Sequence, residues 1–547
     1  MTEWSIGDVL DEVASAVPDR EMTVCGSRRS TFAESAARTR RLANFLVDQG
    51  FGVHTPQAEH ERWECGQDRI ALIMRNDLYP DAMIACLKAR VVPVNVNYNY
   101  TAREIAELLD YVRPRAVIYH RSFGPEFAAA LTAEGIDLLI EVDDGSETPS
   151  IEGSVSFDDA VAQGDPDRSL PSSPDDMVMQ CTGGTTGRPK GVLWRQSDLY
   201  VSSLAGNDYE SAKDLHNIAL TGGQVWFAMS PLVHAAGIWT AFSGLLTGQT
   251  VVLFDDRDRF DARLVLETAE QEKVSLMTMV GDAYAAPIVA ELRRATYDLS
   301  SMYAIGTGGA ATNPIHKAAL LECLPTVTVI DGYGSSETGG LGFYTSQKGA
   351  LGETFGLRPG GTVISADRSR VLEPGDSEIG WTARVGRVPL GYFRDRTASE
   401  STFPVVDGLR MSIPGDRAMF DADGTVRLLG RDSLVVNTGG EKVFVEEVEA
   451  VIRRQVGVTD ALVVGRASDR WGQEVVALVA LDPGSEVTEE TLRALCKTEL
   501  AGFKAPKAVV IVEHVQRLGN GKPDYRWAKA AVESNAADTA VPATSSL

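Results

Sequence analysis

The sequence predicts an α/β protein with a large, multi-lobed N-terminal domain and a small α+β C-terminal domain. Three observations lead to this fold class. The chain has 547 residues, more than one hydrophobic core usually serves, so two or more domains are expected. Short apolar segments alternate with helical patterns over most of the length, as in α/β proteins. After residue 431 a separate strand–helix pattern of roughly a hundred residues follows, an ordinary size for a small domain.

The first clear α/β unit runs from residue 68 to residue 96. Residues 68–74 predict a strand, residues 79–90 a helix and residues 91–96 a second strand. Together they predict a βαβ unit with a right-handed crossover. Residues 116–119 and 138–142 continue the strand pattern.

The domain boundary is predicted at residues 430–433, after a turn and a strand over residues 425–429. The expected domains are therefore residues 1–431 and residues 432–533. The tail, residues 534–547, is rich in Ala, Ser, Thr and Asp without periodicity, so it is expected to be disordered.

Composition limits the classes of partner. The formal net charge of −24 argues against nucleic acid, because a duplex-binding protein needs a broad basic surface. The longest apolar run, residues 475–481, predicts a buried strand and no integral membrane segment. The acidic N-terminus has no apolar signal region, and the six cysteines form no Cys-x-x-Cys pair. We therefore expect a cytoplasmic protein with reduced thiols.

Residues 181–191 read Cys-Thr-Gly-Gly-Thr-Thr-Gly-Arg-Pro-Lys-Gly, which predicts a phosphate-binding loop. Glycines let the backbone approach an anion, hydroxyl and N–H groups donate to phosphate oxygens, and lysine supplies a positive charge. The segment differs from a Walker A loop, in which Ser or Thr follows the Gly-Lys pair. The candidate phosphate-binding residues are Thr182, Gly183, Gly184, Thr185, Thr186, Gly187 and Lys190.

A second glycine-containing segment, residues 331–338, reads Asp-Gly-Tyr-Gly-Ser-Ser-Glu-Thr after an apolar strand. Ligands of α/β proteins bind at such carboxyl ends of strands, and a carboxylate there could hold Mg²⁺ on a phosphate chain. This segment and the loop at 181–191 resemble motifs of the adenylate-forming superfamily, which includes acyl-CoA synthetases, luciferase and peptide-synthetase adenylation domains. The resemblance implies that Tyr333 packs on adenine, Ser336 contacts phosphates and Glu337 binds Mg²⁺. It also assigns Asp331, Gly332 and Gly334 to the ATP site.

Residues 306–311 allow two interpretations. They fit the dinucleotide fingerprint Gly-x-Gly-x-x-Gly/Ala, and Asp331 follows at the spacing that such a site requires, so an NAD-dependent dehydrogenase is a rival hypothesis. That hypothesis leaves the 181–191 loop, Glu337 and the C-terminal lysine without a role. In the adenylate-forming family this segment lines the adenine pocket, which assigns Gly308, Gly309 and Ala310 to ATP binding.

Three further residues carry roles that the resemblance implies. His234, in Pro-Leu-Val-His-Ala-Ala-Gly, resembles a family histidine near the reacting carboxylate. Asp416 and Arg431 match the family's ribose-binding pair, since a carboxylate can accept from both ribose hydroxyls and a guanidinium can donate.

The C-terminal domain adds two segments. Residues 437–443 resemble the glycine segment that lines the pantetheine tunnel once the mobile small domain has rotated, which assigns Gly439, Gly440 and Lys442 to CoA binding. Lys522, in a two-glycine turn, matches the lysine that acts on the α-phosphate during adenylation, where charge builds up. Ser433 stands where the family commonly has Asp or Lys as its hinge.

The resemblance implies an AMP-forming acyl-CoA synthetase that uses ATP, Mg²⁺ and CoA. Likeness to actinobacterial members implies a bulky hydrophobic acid, either a long-chain fatty acid or a sterol side-chain acid. Val233, Ile238, Gly281 and Gly306 are the candidate walls of the acyl pocket. The alternatives are an acyl-AMP ligase that loads a carrier protein and a non-catalytic nucleotide-binding protein. A homodimer is the assembly considered.

Overall fold

The computed structural model describes residues 2–183, 189–255, 257, 260–309, 312, 314–352, 354–431, 435–453, 455–516 and 524–539. Helices and strands alternate through most of these ranges, which confirms the α/β class. Within the described ranges, no helix has both the length and the apolar character needed to cross a membrane.

The strands of the large N-terminal region are β1 Glu21–Cys25, β2 Arg28–Thr31, β3 Arg69–Ile73, β4 Val92–Asn95, β5 Ala116–His120, β6 Leu138–Val142, β7 Val155–Ser156, β8 Met177–Gly183, β9 Pro189–Arg195, β10 Val225–Ala228, β11 Thr250–Leu253, β12 Leu276–Met279, β13 Ala304–Thr307, β14 Thr328–Ser335, β15 Gly339–Ser346, β16 Phe355–Leu357, β17 Gly361–Ile364, β18 Gly380–Val385, β19 Gly391–Tyr392, β20 Val405–Val406, β21 Leu409–Ser412, β22 Asp416–Phe420 and β23 Thr425–Arg431.

Its helices are α1 Ile6–Ala16, α2 Phe32–Asp48, α3 Tyr79–Lys88, α4 Ala102–Val112, α5 Gly124–Leu131, α6 Phe157–Gln163, α7 Gln196–Ser203, α8 Ala212–Thr221, α9 Ala235–Leu245, α10 Ala262–Gln271, α11 Gly281–Arg294, α12 Pro314–Cys323 and α13 Arg396–Thr402, with short 3₁₀ turns at Gln57–Glu59 and Arg121–Phe123. The predicted βαβ unit is present as β3–α3–β4, and the two strands pair in parallel.

Two sheets organise the large region. One has the strand order β19-β9-β8-β4-β3-β5-β6-β7, and the other has the order β2-β1-β11-β10-β12-β13-β14-β15-β16-β23-β22-β18-β21-β20. A large apolar core lies around α1, α2, α3, α7 and α9. A second core packs α10, α11 and α12 against β12, β13 and β14.

The strands β13, β14 and β15 present two different faces, because side chains alternate along a strand and paired residues share a side. The pairing Thr307↔Asp331↔Tyr344 lies on one side, which we call the aromatic face; Tyr333 and Phe355 belong to it. The glycine face, on the other side, carries Gly306, Ile330, Gly332, Phe343 and Gly356.

The C-terminal region forms its own sheet, in the order β25-β24-β27-β26 with β28 beside β27. Its elements are β24 Val435–Thr438, β25 Glu441–Phe444, α14 Val445–Arg453, β26 Val458–Ser468, β27 Gly472–Leu481, α15 Glu489–Glu499, β28 Ala508–Val512 and α16 Tyr525–Thr539. The helix α16 therefore includes the first residues of the tail expected to be disordered, up to Thr539. Its alanine-rich sequence favours helix.

Ion pairs join this region to the start of α4. Glu104 forms a capping box with Thr101, and its second carboxylate oxygen accepts a hydrogen bond from Lys504 at 2.7 Å. Lys504 also donates to Glu447 at 2.9 Å. Beside them, Arg103 pairs with Glu499 at 2.6 Å. The small domain thus rests against the large one through charged groups.

Candidate active site

The predicted phosphate loop connects β8 to β9, two antiparallel strands in which Thr182 pairs with Lys190. The strand pair brings both ends of the loop together. The loop residues Gly184, Thr185, Thr186 and Gly187 and the side chain of Thr182 lie outside the described part of the chain.

Tyr392 connects the base of this loop to the predicted metal ligand. The Nζ atom of Lys190 lies 4.6 Å from the centroid of the Tyr392 ring. The Tyr392 hydroxyl donates a hydrogen bond to Oε1 of Glu337 at 2.9 Å. A cation, a phenol and a carboxylate are therefore gathered beside the predicted phosphate-binding loop, an arrangement suited to an anion held with a divalent cation.

The buried Trp194 fixes the position of the 331–338 segment. Its indole N–H donates to the backbone carbonyl of Ser336 at 2.8 Å, while Trp194 itself lies on β9 in the main core. Ser336 is buried. The strand β9, which follows the predicted phosphate loop, is thus joined to the 331–338 segment by a direct hydrogen bond.

The structure brings Tyr333 and Asp416 together, although 83 positions separate them. The Tyr333 hydroxyl donates to Oδ2 of Asp416 at 2.7 Å and lies 2.8 Å from Oγ1 of Thr382. Gly332 and Gly334 flank the tyrosine on β14. Arg431 pairs with Asp416 in the strand register, but its side chain lies outside the described part of the chain.

Asp331 forms a buried ion pair with Lys317 of α12 at 2.8 Å. Lys317 also donates a hydrogen bond to the Tyr344 hydroxyl. Burial alone would lower the pKa of Lys317, but the bonds to Asp331 and Tyr344 raise it overall, so the ammonium is retained. Oδ2 of Asp331 has no hydrogen-bond partner among the described residues. This carboxylate oxygen therefore lacks the hydrogen-bond partner that buried polar atoms usually have.

This ion pair also bears on the dehydrogenase alternative. A dinucleotide site needs its acidic residue available to a ribose, whereas Asp331 is buried and paired with Lys317. Gly308 and Gly309 follow β13; a Cβ at Gly308 would lie 3.3 Å from the Gly332 carbonyl oxygen. Ala310 lies outside the described residues.

His234 caps the N-terminal end of α9, where the small domain meets the large one. Its Nε2 atom lies 3.1 Å from Oε1 of Glu441, which Asn97 also contacts at 3.5 Å. Burial alone would lower the pKa of His234, but the Glu441 carboxylate raises it overall. The pKa of Glu441 would rise on burial, but His234 lowers it overall.

The hairpin β24–β25 carries Glu441 and the predicted CoA-binding residues. Gly439 and Gly440 form its turn at φ values of 58° and 85°, which glycine adopts readily. A Cβ at Gly440 would lie 2.5 Å from Val280, so the glycine permits close approach. Lys442 follows on β25. The segment assigned to CoA therefore abuts the histidine assigned to the acid.

The predicted acyl-pocket residues come from segments that meet beside Gly309, where an added Cβ would lie 3.6 Å from Val280 and 3.8 Å from Ala236. Val233 and Ile238 are buried in the main core, Gly281 begins α11 with a φ of 56°, and Gly306 lies on the glycine face. Gly237 packs against backbone, since a Cβ there would lie 2.4 Å from the Pro231 carbonyl oxygen. A larger side chain at Gly237 would therefore disturb the turn before α9.

Lys522 and Ser433, the predicted adenylation lysine and hinge residue, lie outside the described residues. Three residues of the assembled site were missed by sequence reasoning: Tyr392, Glu441 and Lys317. Each acts through a partner distant in sequence; His234 and Glu441, for example, are 207 positions apart. Lys317 offered a local signal, because it directly precedes the apolar run at residues 318–321 of α12.

Family models and similar proteins match nearly the whole chain. A family model described as AMP-binding enzyme matches residues 10–380, and one described as AMP-binding enzyme C-terminal domain matches residues 447–522. A medium-chain acyl-CoA ligase from Mycobacterium avium is 42% identical, with 96% of this chain and 98% of the relative covered. A 3-oxocholest-4-en-26-oate–CoA ligase from Rhodococcus rhodochrous is 35% identical, with 96% and 95% covered.

Solved structures show the same fold. An amide bond synthetase from Marinactinospora thermotolerans matches with a TM-score of 0.78 at 22% identity, covering 96% of this chain and 99% of that one. An o-succinylbenzoate CoA synthetase from Bacillus subtilis matches with a TM-score of 0.75 at 22% identity, covering 97% and 99%. With both domains matched in order along nearly the full length, the chain belongs to the AMP-binding enzyme family and has the adenylate-forming fold.

Proposed function

We propose that the protein is an ATP-dependent acyl-CoA synthetase that converts a bulky hydrophobic carboxylic acid to its CoA thioester. The acid and ATP give an acyl-adenylate and pyrophosphate, and the CoA thiolate then displaces AMP. The observation that carries the proposal is the contact between Glu441, on the glycine hairpin of the small domain, and His234 of the large domain. The segment expected to guide CoA thus lies beside the segment expected to hold the acid.

The first half-reaction needs phosphate and metal groups in one place. The loop amides and Lys190 bind the phosphate chain, and Glu337 supplies a carboxylate to Mg²⁺. The described residues contain no group of three His, Cys, Asp or Glu side chains suited to hold a metal. A single carboxylate completed by phosphate oxygens is a usual Mg²⁺ environment, so the residues present fit this ion. When bound, it would neutralise charge on the phosphates.

The nucleoside and the reacting carboxylate have separate supports. Tyr333 packs on adenine. Asp416 accepts hydrogen bonds from the ribose hydroxyls, and Arg431 donates hydrogen bonds to the ribose. Lys522 stabilises the charge that develops at the α-phosphate. His234 positions the carboxylate, and Glu441 orients the histidine ring.

The substrate class rests on relatives and on the glycine face. Relatives at 35–42% identity bear names specifying medium-chain, 3-oxocholest-4-en-26-oate and medium/long-chain acids. On the strands next to the adenylate segment, Gly306 and Gly332 add no side chains, and their nearest side-chain neighbours are Thr278 and Phe343, so an acid there would meet a mostly apolar surface. The cytoplasmic location, the homodimer, the role of Ser433 as hinge and the domain limits remain predictions.

The test is a substrate screen in two stages. ATP–pyrophosphate exchange is measured with acids from acetate to long-chain and polycyclic acids, and thioester formation is then measured with CoA or with a phosphopantetheinylated carrier protein. We expect exchange and CoA thioester formation to increase toward bulky acids, because each buried CH₂ contributes about 0.8 kcal/mol. Best activity on acetate would contradict the substrate class. Thioester formation with the carrier alone would show an acyl-AMP ligase instead.

A further inference from the structure

The glycine face leads from the site toward Phe343. Gly332, Phe343 and Gly356 lie side by side on β14, β15 and β16, so Phe343 rises between two positions without side chains. A Cβ at Gly332 would lie 3.3 Å from the Phe343 ring. Phe343 is 44% exposed. The face is therefore an apolar floor that reaches the solvent at Phe343.

Arg358 stands beside this end of the floor. Its guanidinium carbon lies 5.9 Å from the centroid of the Phe343 ring, and a Cβ at Gly340 would lie 3.1 Å from its Nη1 atom. Its backbone N–H donates to the Leu341 carbonyl at 2.9 Å. The arginine is thus tied to β15, the strand that carries Phe343.

The guanidinium of Arg358 has more N–H donors than the described hydrogen bonds use. Nη1 donates to the Ser202 carbonyl at 2.8 Å, whereas an arginine carries five N–H donors. No carboxylate of a described residue pairs with Arg358, and its pKa is lowered by burial with no acidic neighbour to raise it. A half-buried cation without an acidic partner favours an external acceptor.

Other polar groups lie near the guanidinium of Arg358, which donates to the Ser202 carbonyl. The hydroxyls of Ser202 and Ser203, at the end of α7, are 3.1 Å apart. A Cβ at Gly339 would lie 2.5 Å from the Ser203 hydroxyl oxygen. Because Ser202 and Ser203 are buried, the polar rim at the end of the apolar floor is made by Arg358.

We propose that Arg358 is a specificity-determining residue that binds an acceptor oxygen carried by the acid at the end remote from its reacting carboxyl. From β13, next to the adenylate segment, to Phe343 on β15 is two strand spacings, or about 10 Å. A substrate that spans the floor brings its far end to Arg358. The inference rests on the proposed acyl-CoA synthetase function and refines its substrate class from purely hydrophobic to hydrophobic with a distal oxygen.

The experiment compares matched acids. One pair is a polycyclic acid with a keto group opposite its carboxyl and the same acid without the keto group. The other pair is a long α,ω-dicarboxylic acid and the monocarboxylic acid of equal length. Acyl-adenylate formation gives kcat/KM for each acid with the wild type, Arg358→Met and Arg358→Lys. If the wild type shows no preference within one pair, then Arg358 does not bind the type of distal oxygen, keto or carboxylate, that this pair tests.

We expect the wild type to prefer the oxygenated member of at least one pair. In Arg358→Met this preference should fall by about 10–100-fold, the loss for a hydrogen bond to a charged group of about 1.5–3 kcal/mol. Arg358→Lys should retain part of it. Arg368→Met is the matched control, since Arg368 also lies over an aromatic ring, Trp381 at 4.6 Å, and donates to a backbone carbonyl.

Equal loss of both members of a pair in Arg358→Met would overturn the inference, because a structural arginine affects every acid alike. A wild type without preference in either pair would also overturn it. If Arg358→Met fails to fold, Arg358→Gln is measured in its place, with ATP binding as the check of an intact site. Failure of the proposed function itself would look different, since the wild type would then adenylate no hydrophobic acid.

Discussion

The two faces of β13, β14 and β15 differ in the side chains they carry, although they belong to the same strands. On the aromatic face, Asp331 is paired with Lys317, and Tyr333 donates to Asp416. On the glycine face, Gly306 and Gly332 leave bare backbone. The face assigned to the nucleotide, which is the same in every turnover, is built from interlocked side chains. The face assigned to the acid, which differs among relatives, is built by leaving side chains out.

Of the changes that test this difference between the faces, we expect Lys317→Met to have the largest effect, a loss of folding stability. Lys317→Met leaves Asp331 as an unpaired buried carboxyl, and breaking a buried ion pair costs about 3–5 kcal/mol. Denaturant unfolding measures the loss, and Lys317→Met combined with Asp331→Asn should recover part of it. A stability within about 0.5 kcal/mol of the wild type would mean that the aromatic face is not held together by this pair.

Lys522→Ala tests whether acyl-adenylate formation depends on groups around the nucleotide and not on the size of the acid. Removing a group that stabilises transition-state charge costs about 10²–10³ in rate. We expect this loss in acyl-adenylate formation, by the same factor for small and bulky acids, while thioester formation from supplied acyl-adenylate is largely retained. Equal loss in both half-reactions would contradict the role assigned to the lysine.

Glu337→Gln should weaken Mg²⁺-dependent turnover by removing a charged ligand while keeping its shape. Outer-shell partners of metals contribute about 10–100-fold to affinity, and we expect at least that for a direct ligand. A magnesium titration of pyrophosphate exchange measures the shift. Tyr392→Phe is the graded control, because it removes only the hydroxyl that holds Oε1 of Glu337 and should give a smaller shift.

Gly332, which the resemblance assigns to the ATP site, lies on the glycine face opposite Tyr333, so Gly332→Val should fill that face and act mainly on the acid. A side chain there would meet Phe343, so bulky acids should lose about fourfold in kcat/KM for each CH₂ that can no longer be buried, while short acids keep their efficiency. Gly356→Val, on the same face and exposed, is the control, since its Cβ would meet only the Phe343 carbonyl oxygen at 3.6 Å. Equal losses for short and long acids would place the acid elsewhere.

The smallest effect concerns the pairing of His234 with Glu441 on the β24–β25 hairpin. The raised pKa of His234 makes its pairing with Glu441 fully present below the ordinary value of 6.5 and lost as the pH rises through the raised value. The lowered pKa of Glu441 keeps the pairing present above 4.5 and loses it only as the pH falls through the lowered value. The rate of thioester formation from supplied acyl-adenylate, divided by the same rate in Glu441→Gln, should therefore decline above pH 6.5. A flat ratio from pH 5.5 to 8.5 would argue against this pairing.

The sequence predicted local structure better than the site. The βαβ unit over residues 68–96 appears as β3–α3–β4, because apolar periodicity and segment length are local signals. The resemblance assigned roles to Tyr333, Glu337, His234 and Asp416, but it did not show that Asp416 bonds to Tyr333 and did not find Tyr392 or Glu441. Asp416 supports Tyr333, and Tyr392 supports Glu337 from 55 positions away. Such pairs are set by how sheets and domains pack, which spacing along the chain does not encode.

The double use of Glu104 has an entropic consequence. Ordering a free glutamate side chain costs about 1.5–2 kcal/mol. One oxygen of Glu104 is already held by Thr101 at the start of α4, so most of that ordering belongs to the helix rather than to the pairing with Lys504. The small domain therefore meets a carboxylate that is immobilised in advance, and the contact can form and dissolve with little change in side-chain freedom on the large domain.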